Sequence, residues 1–190
     1  RTEHISTQGT DWKTIDLVQA ARNQLVNAAD HAMQAGLLIA FEAPECEVPI
    51  HAQPVMLGEL IKNLIDNACH YTESDVTVRV TQDHLAAHLY VLDNGPGIPM
   101  HEREQVFEPF YSVLGEHKGG SGLGLAIVKE ICDSLNATIK PSPPPRGAGC
   151  NLIFIFHYFQ ERNDESFTKI RHPDGGIWPV IYPLLGLDCK

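Results

Sequence analysis

Residues 74–82, SDVTVRVTQ, alternate apolar and polar side chains, and residues 85–93, LAAHLYVLD, follow as a matching segment after the turn pair Asp83-His84. The pattern predicts two antiparallel strands with one apolar face. A lone two-stranded hairpin is marginal in water, so other elements must cover that face. The flanking sequence provides them. Ile15, Leu17, Val18, Ala21, Leu25, Ala28, Ala29 and Ala32 recur at helical spacing up to Gly36, and a second amphipathic segment runs from about Pro54 to Tyr71. Pro54 suits a helix start because its missing N–H would have had no partner there. LLIAFE (37–42) reads as a short strand, and Pro44 and Pro49 interrupt the stretch after it. A brief helix is expected near Met100 to Val106, and a longer one ends at Leu135. ATIKP and CNLIFIFHYF then close the sheet, joined by the turn SPPPRGAG. This order of helices and mostly antiparallel strands predicts a two-layer α/β sandwich.

Bulk properties narrow the function. A formal net charge of −10, from 24 acidic and 14 basic residues, argues against a nucleic-acid or anionic-lipid surface. Any phosphate bound by this chain must be handled locally. The five cysteines are scattered and show no C-x-x-C spacing, which points to a reducing compartment without a zinc site or a disulfide framework. No apolar run approaches the roughly 20 residues needed to span a bilayer. Residues 160–190 change character, from a charged stretch to prolines interleaved with apolar residues, and are read as an accessory tail or a docking segment.

Three stretches carry candidate chemistry. In GELIKNLIDNACHYT, residues Glu59, Asn63 and Asn67 are four apart and His70 comes three later, so all four fall on one face of a helix. Leu57, Leu60, Leu64 and Ala68 lie on the other side. A solvated helix face is one reading. Asparagine is a mediocre helix former, however, and its carboxamide oxygen is a good ligand for a hard cation such as magnesium. The second stretch, DNGPGIP (93–99), contains two glycines where a plain turn needs one. Asn94-Gly95 would supply the turn, which leaves Gly97 for close approach of a ligand to the backbone. The third, KGGSGLGLAIVKEI (118–131), runs four glycines into a helix start, where free N–H groups and the helix dipole favour phosphate. It is neither a Walker loop nor a dinucleotide fingerprint. Phe107 and Phe110 precede it and suggest hinges for a mobile lid from Tyr111 to Gly120.

In this order and spacing, the ordered set resembles the catalytic and ATP-binding domain of bacterial sensor histidine kinases, within the GHKL ATPase superfamily. ELIKNLIDNACHYT looks like the N box, DNGPGIP the first glycine box, FEPFY the F box and GGSGLGL the second glycine box. The resemblance covers about residues 11–159. It leaves 1–10 as a linker or remnant of a preceding dimerisation helix. It implies an ATP-binding sandwich whose helices cover one face of a mixed, mostly antiparallel sheet. It further implies transfer of the ATP γ-phosphoryl group to a histidine on a separate dimerisation domain, for relay to a response regulator.

The residue roles implied by the resemblance are specific. Glu59 would orient the acceptor imidazole or take its proton, Asn63 would ligate Mg2+, and Asn67, His70 and Tyr71 would lie along the phosphates. Asp93 would bond the adenine amino group, and Gly97 would let the base lie against the backbone. Gly95, Ile98, Phe110 and Leu125 would complete the nucleotide contacts. Ser121, with the backbone of Gly122, Leu123 and Gly124, would hold the phosphates, and Lys118 would act from the lid. His70 stands where the family usually has lysine or arginine, Ser112 comes after the F box where arginine is common, and Cys150 replaces a frequent threonine. Among ten histidines only His101 is followed by Glu, and it lies between two ATP-site boxes, so the phosphoacceptor is expected on another domain. The implied setting is cytoplasmic, in a parent protein anchored in the inner membrane. Two rivals stand beside this reading: a non-catalytic ATP sensor, and a conformational ATPase of the gyrase, MutL or heat-shock chaperone type.

Overall fold

The computed structural model describes residues 11–111, 122–142, 151–157, 160–161, 169–171 and 177–179. Its centre is a five-stranded sheet. The strands are β2 (Leu38–Glu42), β4 (Asp75–Gln82), β5 (Ala86–Asp93), β6 (Ala137–Ser142) and β7 (Asn151–His157). Their order is β2-β4-β5-β7-β6, with β2 parallel to β4 and every other pair antiparallel. The predicted hairpin is β4–β5, in register from Val76 opposite Asp93 to Gln82 opposite Ala87.

Alternation decides which face is dry. Val76, Val78 and Val80 of β4, Ala87, Leu89 and Val91 of β5, and Leu152, Phe154 and Phe156 of β7 are all buried in one core. Three helices supply the matching stripes: α1 (Leu17–Gln34), α2 (Pro54–Tyr71) and α3 (Gly124–Ser134). Together they make the expected two-layer sandwich. Helix α2 is central, because its Leu57, Leu60, Ile61 and Ile65 are 1% exposed or less. Each such side chain contributes about 1.5–3 kcal/mol of burial. Its spacing therefore fixes one edge to the core and leaves the opposite edge for Asn63, Asn67 and His70.

Three parts of the fold differ from the sequence reading. Ile15 belongs to a short strand, β1 (Lys13–Asp16), and the proline-interrupted segment contains another, β3 (Pro49–Ala52), paired antiparallel with it. Asp16 explains the switch from strand to helix. Its carboxylate accepts from Val18 N at 3.1 Å and Gln19 N at 3.2 Å as the N-cap of α1, and from Val48 N at 3.0 Å. The brief helix expected near Met100 to Val106 is two 3-10 turns, Met100–Glu102 and Gln105–Phe107. The C-terminal stretch holds three short strands, β8 (Gln160–Glu161), β9 (Lys169–Arg171) and β10 (Ile177–Pro179), in a sheet of their own. No helix among the described residues is long and apolar enough to cross a membrane.

Candidate nucleotide site

The polar edge of α2, the end of β5 and the start of α3 surround a cavity of about 450 Å3. Its apolar wall is built by Leu64 and Ala68 of α2, Val91 of β5 and Leu152 of β7, joined by Ile98 and Val106 from the segment after β5. Its polar groups come mostly from α2: Asn63, Asp66, Asn67, His70 and Tyr71, with Asp93 at the β5 end. An apolar slot with a few convergent polar groups is the usual form of a small-molecule site.

The two asparagines meet the second glycine cluster. A Cβ on Gly124 would lie 3.2 Å from Asn67 Oδ1 and 3.6 Å from Asn63 Oδ1, so the start of α3 packs directly against both carboxamides, tightly against Asn67. Asn63 Nδ2 donates to the carbonyl of Glu59 at 2.8 Å. Because that carbonyl can only accept, the Asn63 oxygen is the atom left for a ligand. Helix α3 starts without a side-chain cap, so its first-turn N–H groups and positive dipole end add anion affinity beside the same carboxamides.

At the opposite end, Asp93 Oδ1 accepts from Gly95 N at 2.8 Å. No donor among the described residues reaches Oδ2. Burial pushes the Asp93 carboxyl above its usual 3.8, and the Gly95 N–H partly offsets this. A half-buried acceptor lining a cavity is suited to a ligand N–H donor.

The two glycines of DNGPGIP divide the backbone tasks differently from the expectation. Gly97, with φ 76, is the residue whose backbone demands glycine, and it also lines the cavity. Gly95 is needed for a close approach, but to protein: a Cβ there would sit 2.3 Å from the Tyr71 carbonyl oxygen. Gly95 does not line the cavity.

Of the other expected residues, Ile98, Gly122, Leu123 and Leu125 line the cavity with those named above. Phe110 does not. It is 78% exposed and has φ 66, and its N–H donates to Gly122 O at 2.9 Å. That bond joins the two ends of the 111–121 segment, so the position of Phe110 is explained by its backbone. Glu59 is exposed on α2 one helical turn from Asn63, outside the cavity wall. Lys118, Ser121 and most of the expected lid lie outside the described residues, as does Cys150. His101 is exposed on a 3-10 turn, as a surface residue should be.

The sequence reading missed Leu64, Asp66, Ala68, Val91, Pro96, Val106, Tyr111, Ile127 and Leu152 as lining residues; Leu64 and Ala68, placed on the core side of α2, are buried there and also wall the cavity. The alternation of β5 was a usable signal for Val91, which shares a face with Leu89. Asp66 is tied to Lys62 at 2.9 Å, a pairing that holds both charges on the exposed flank of α2. Tyr111 donates its hydroxyl to Glu102 Oε2 at 2.8 Å, which anchors the end of FEPFY to the preceding turn.

Comparison with known proteins agrees with this geometry. The family described as histidine kinase-, DNA gyrase B-, and HSP90-like ATPase matches residues 52–161. The sensor histidine kinase CpxA of Escherichia coli K12 is 32% identical over 144 residues, covering 74% of this chain and 31% of CpxA. The signal transduction histidine-protein kinase/phosphatase MprB of Mycolicibacterium smegmatis is 40% identical over 106 residues, covering 51% of this chain and 22% of that protein. The chain thus spans a third or less of these relatives. Among solved structures, a mycobacterial sensor histidine kinase MprB superposes with TM-score 0.65 at 28% identity, over 76% of this chain and 96% of that one. The catalytic domain of the histidine kinase ThkA gives TM-score 0.68 at 23% identity, over 77% and 97%, a likeness of fold. With residues of all four motifs lining one cavity and a family match over more than half its length, this chain belongs to the histidine kinase-, DNA gyrase B-, and HSP90-like ATPase family.

Proposed function

We propose that the chain binds ATP with Mg2+ and transfers the γ-phosphoryl group to a histidine on the dimerisation domain of a parent kinase, for relay to a response regulator. The observation that carries this is the juxtaposition of the Asn63 and Asn67 carboxamides with Gly124 at the start of α3, across one cavity from Asp93. One end suits phosphate and a hard cation, and the other suits a base. The distance between motifs in sequence, from Asn63 to Gly124, gives no hint of this proximity.

In this reading the adenine amino group donates to Asp93, and the base lies over Gly97 between Val91, Ile98 and Leu152. The phosphates run toward Asn67 and His70 and meet the N–H groups of Gly122, Leu123 and Gly124, with Leu125 behind them. Ser121 and Lys118 would add contacts from their segment, while Gly95 shapes the base pocket through Tyr71, and Phe110 acts only through its backbone. Asn63 Oδ1 fits Mg2+, because its Nδ2 is already committed to the Glu59 carbonyl and leaves a hard oxygen outward. When bound, the ion neutralises charge on the β- and γ-phosphates. Glu59, exposed on α2 one turn before Asn63, would meet an imidazole arriving from another domain and hold or accept its proton. Catalysis is then positioning and charge neutralisation. Residues 11–159 form the catalytic unit, in a parent protein anchored in a bacterial inner membrane with this part in the cytoplasm.

The test separates binding from transfer. With labelled ATP and the parent's dimerisation domain, Glu59→Gln should retain ATP affinity and lose most acid-labile label on that domain. Equal transfer by Glu59→Gln and wild type would contradict the role of Glu59. Loss of ATP binding by the wild type would contradict the whole reading.

A further inference from the structure

Asn94 lies outside the cavity wall, although Asp93 before it and Pro96 after it both line the cavity. Its side chain turns back toward the segment between α2 and β4. There Oδ1 lies 2.5 Å from Thr72 Oγ1 and accepts from Glu73 N at 3.2 Å, Ser74 N at 3.2 Å and Asp75 N at 3.4 Å. Nδ2 donates to Ser74 Oγ at 2.7 Å. The backbone N–H groups can only donate, so they fix which end of the carboxamide faces them. One side chain thus gathers the donors of a whole turn. Next to it, the missing side chain of Gly95 lets the backbone press on the Tyr71 carbonyl.

The position of this corner matters more than its stability. Tyr71 is the last residue of α2, the helix that carries Asn63, Asn67 and His70, and Asp93 is the last residue of β5. The Asn94 bonds join the end of one element to the end of the other. They therefore set the separation between the polar edge of α2 and the Asp93 carboxylate. Resting on the nucleotide reading above, we infer that Asn94 is a positioning residue for base recognition: it holds Asp93 at the distance and angle from α2 that adenine requires, without touching the nucleotide.

A residue that only stabilises the turn would change unfolding and leave the folded site's selectivity alone. A positioning residue changes selectivity. In Asn94→Ala, affinity for adenosine and for ATP should fall by the same factor, about tenfold for loss of several shared hydrogen bonds. The ATP-to-adenosine affinity ratio should stay at the wild-type value, because the α2 phosphate edge is untouched, while the ATP-to-GTP ratio should shrink. Asn94→Asp keeps an oxygen for the three N–H groups and should recover most of both. Thr72→Val removes the Oγ1 contacts with Asn94 and with the Asp75 carbonyl but leaves the three N–H bonds to Asn94, and should show the same pattern at about threefold, which keeps the test available where Asn94→Ala does not fold. Calorimetric titrations with adenosine, ATP and GTP read all of these. Wild-type adenosine affinity and an unchanged ATP-to-GTP ratio in folded Asn94→Ala or Thr72→Val would overturn the inference, even with a lowered melting temperature. Failure of the wild-type protein to bind adenosine or ATP would instead remove the nucleotide reading, and this inference with it.

Discussion

Asp93→Asn tests base recognition at one pair of atoms. In the wild type Oδ1 is held by Gly95 N at 2.8 Å and Oδ2 is left for the ligand. Asparagine has one oxygen for both tasks. If that oxygen keeps Gly95, the amide N–H2 faces the adenine amino group, donor against donor; if it turns to adenine, the Gly95 N–H loses its partner. Either way one charge-assisted bond is lost, about 1.5–3 kcal/mol, which is roughly ten- to a hundred-fold in ATP affinity. Guanine presents a carbonyl where adenine presents its amino group, so the new N–H2 favours it and the ATP-to-GTP preference should collapse. Stability should not fall. Because burial raises the Asp93 carboxyl above 3.8, its protonated form favours folding below about that pH, and this contribution is lost as pH rises through the raised value. At neutral pH the wild type bears the cost of a desolvated charge that asparagine does not. The donor amino group needs the ionised form, so wild-type ATP affinity should weaken as pH falls through the raised value, and Asp93→Asn should lack that acidic limb. Calorimetric titration of ATP and GTP from neutral pH down into the acid range, with circular dichroism as the folding control, measures each of these. Unchanged ATP affinity in a folded Asp93→Asn protein would refute the argument and leave Asp93 as a turn cap.

Helix α2 yields two further expected outcomes. ATP affinity should depend on magnesium through Asn63: titration with a chelator in place of the ion should weaken binding, and Asn63→Asp should alter that dependence, whereas equal affinity with and without the ion would remove Asn63 as its ligand. Leu60→Ala, which empties a fully buried position between α2 and the sheet, should lower the unfolding free energy by about 2–5 kcal/mol in urea titrations without changing the m-value.

What the sequence revealed depended on whether the signal was local. Helix α2 was readable from Pro54 to Tyr71 because a proline opens it and a single apolar stripe runs its full length, and the same stripe separated Asn63, Asn67 and His70 from the core. The β4–β5 hairpin was readable from strict alternation. Strand β3 was not, because Pro49 reads as a breaker; at the first position of a strand paired only with β1, its missing N–H costs little. Ile15 was drawn into the helical pattern because the N-cap, Asp16, comes only one residue later. Within the site, Val91 and Leu152 needed strand register before they could be placed together, opposite each other on β5 and β7. Gly95 and Asn94 were misread or passed over for a related reason: their partners, Tyr71 and Thr72 to Asp75, lie some twenty positions back on a different element. Composition around a turn shows that something unusual happens there, but not which neighbour requires it.

The central claim is phosphoryl transfer, and the fate of the γ-phosphate tests it most directly. The protein is mixed with the parent's dimerisation domain and γ-labelled ATP, and label is divided into free phosphate, acid-labile phosphate on the added domain and label on this chain. The account predicts that label accumulates on a histidine of the added domain, that little free phosphate forms, and that the chain alone stays unlabelled, His101 included. Steady release of free phosphate with none on the added domain would contradict it and identify a conformational ATPase instead.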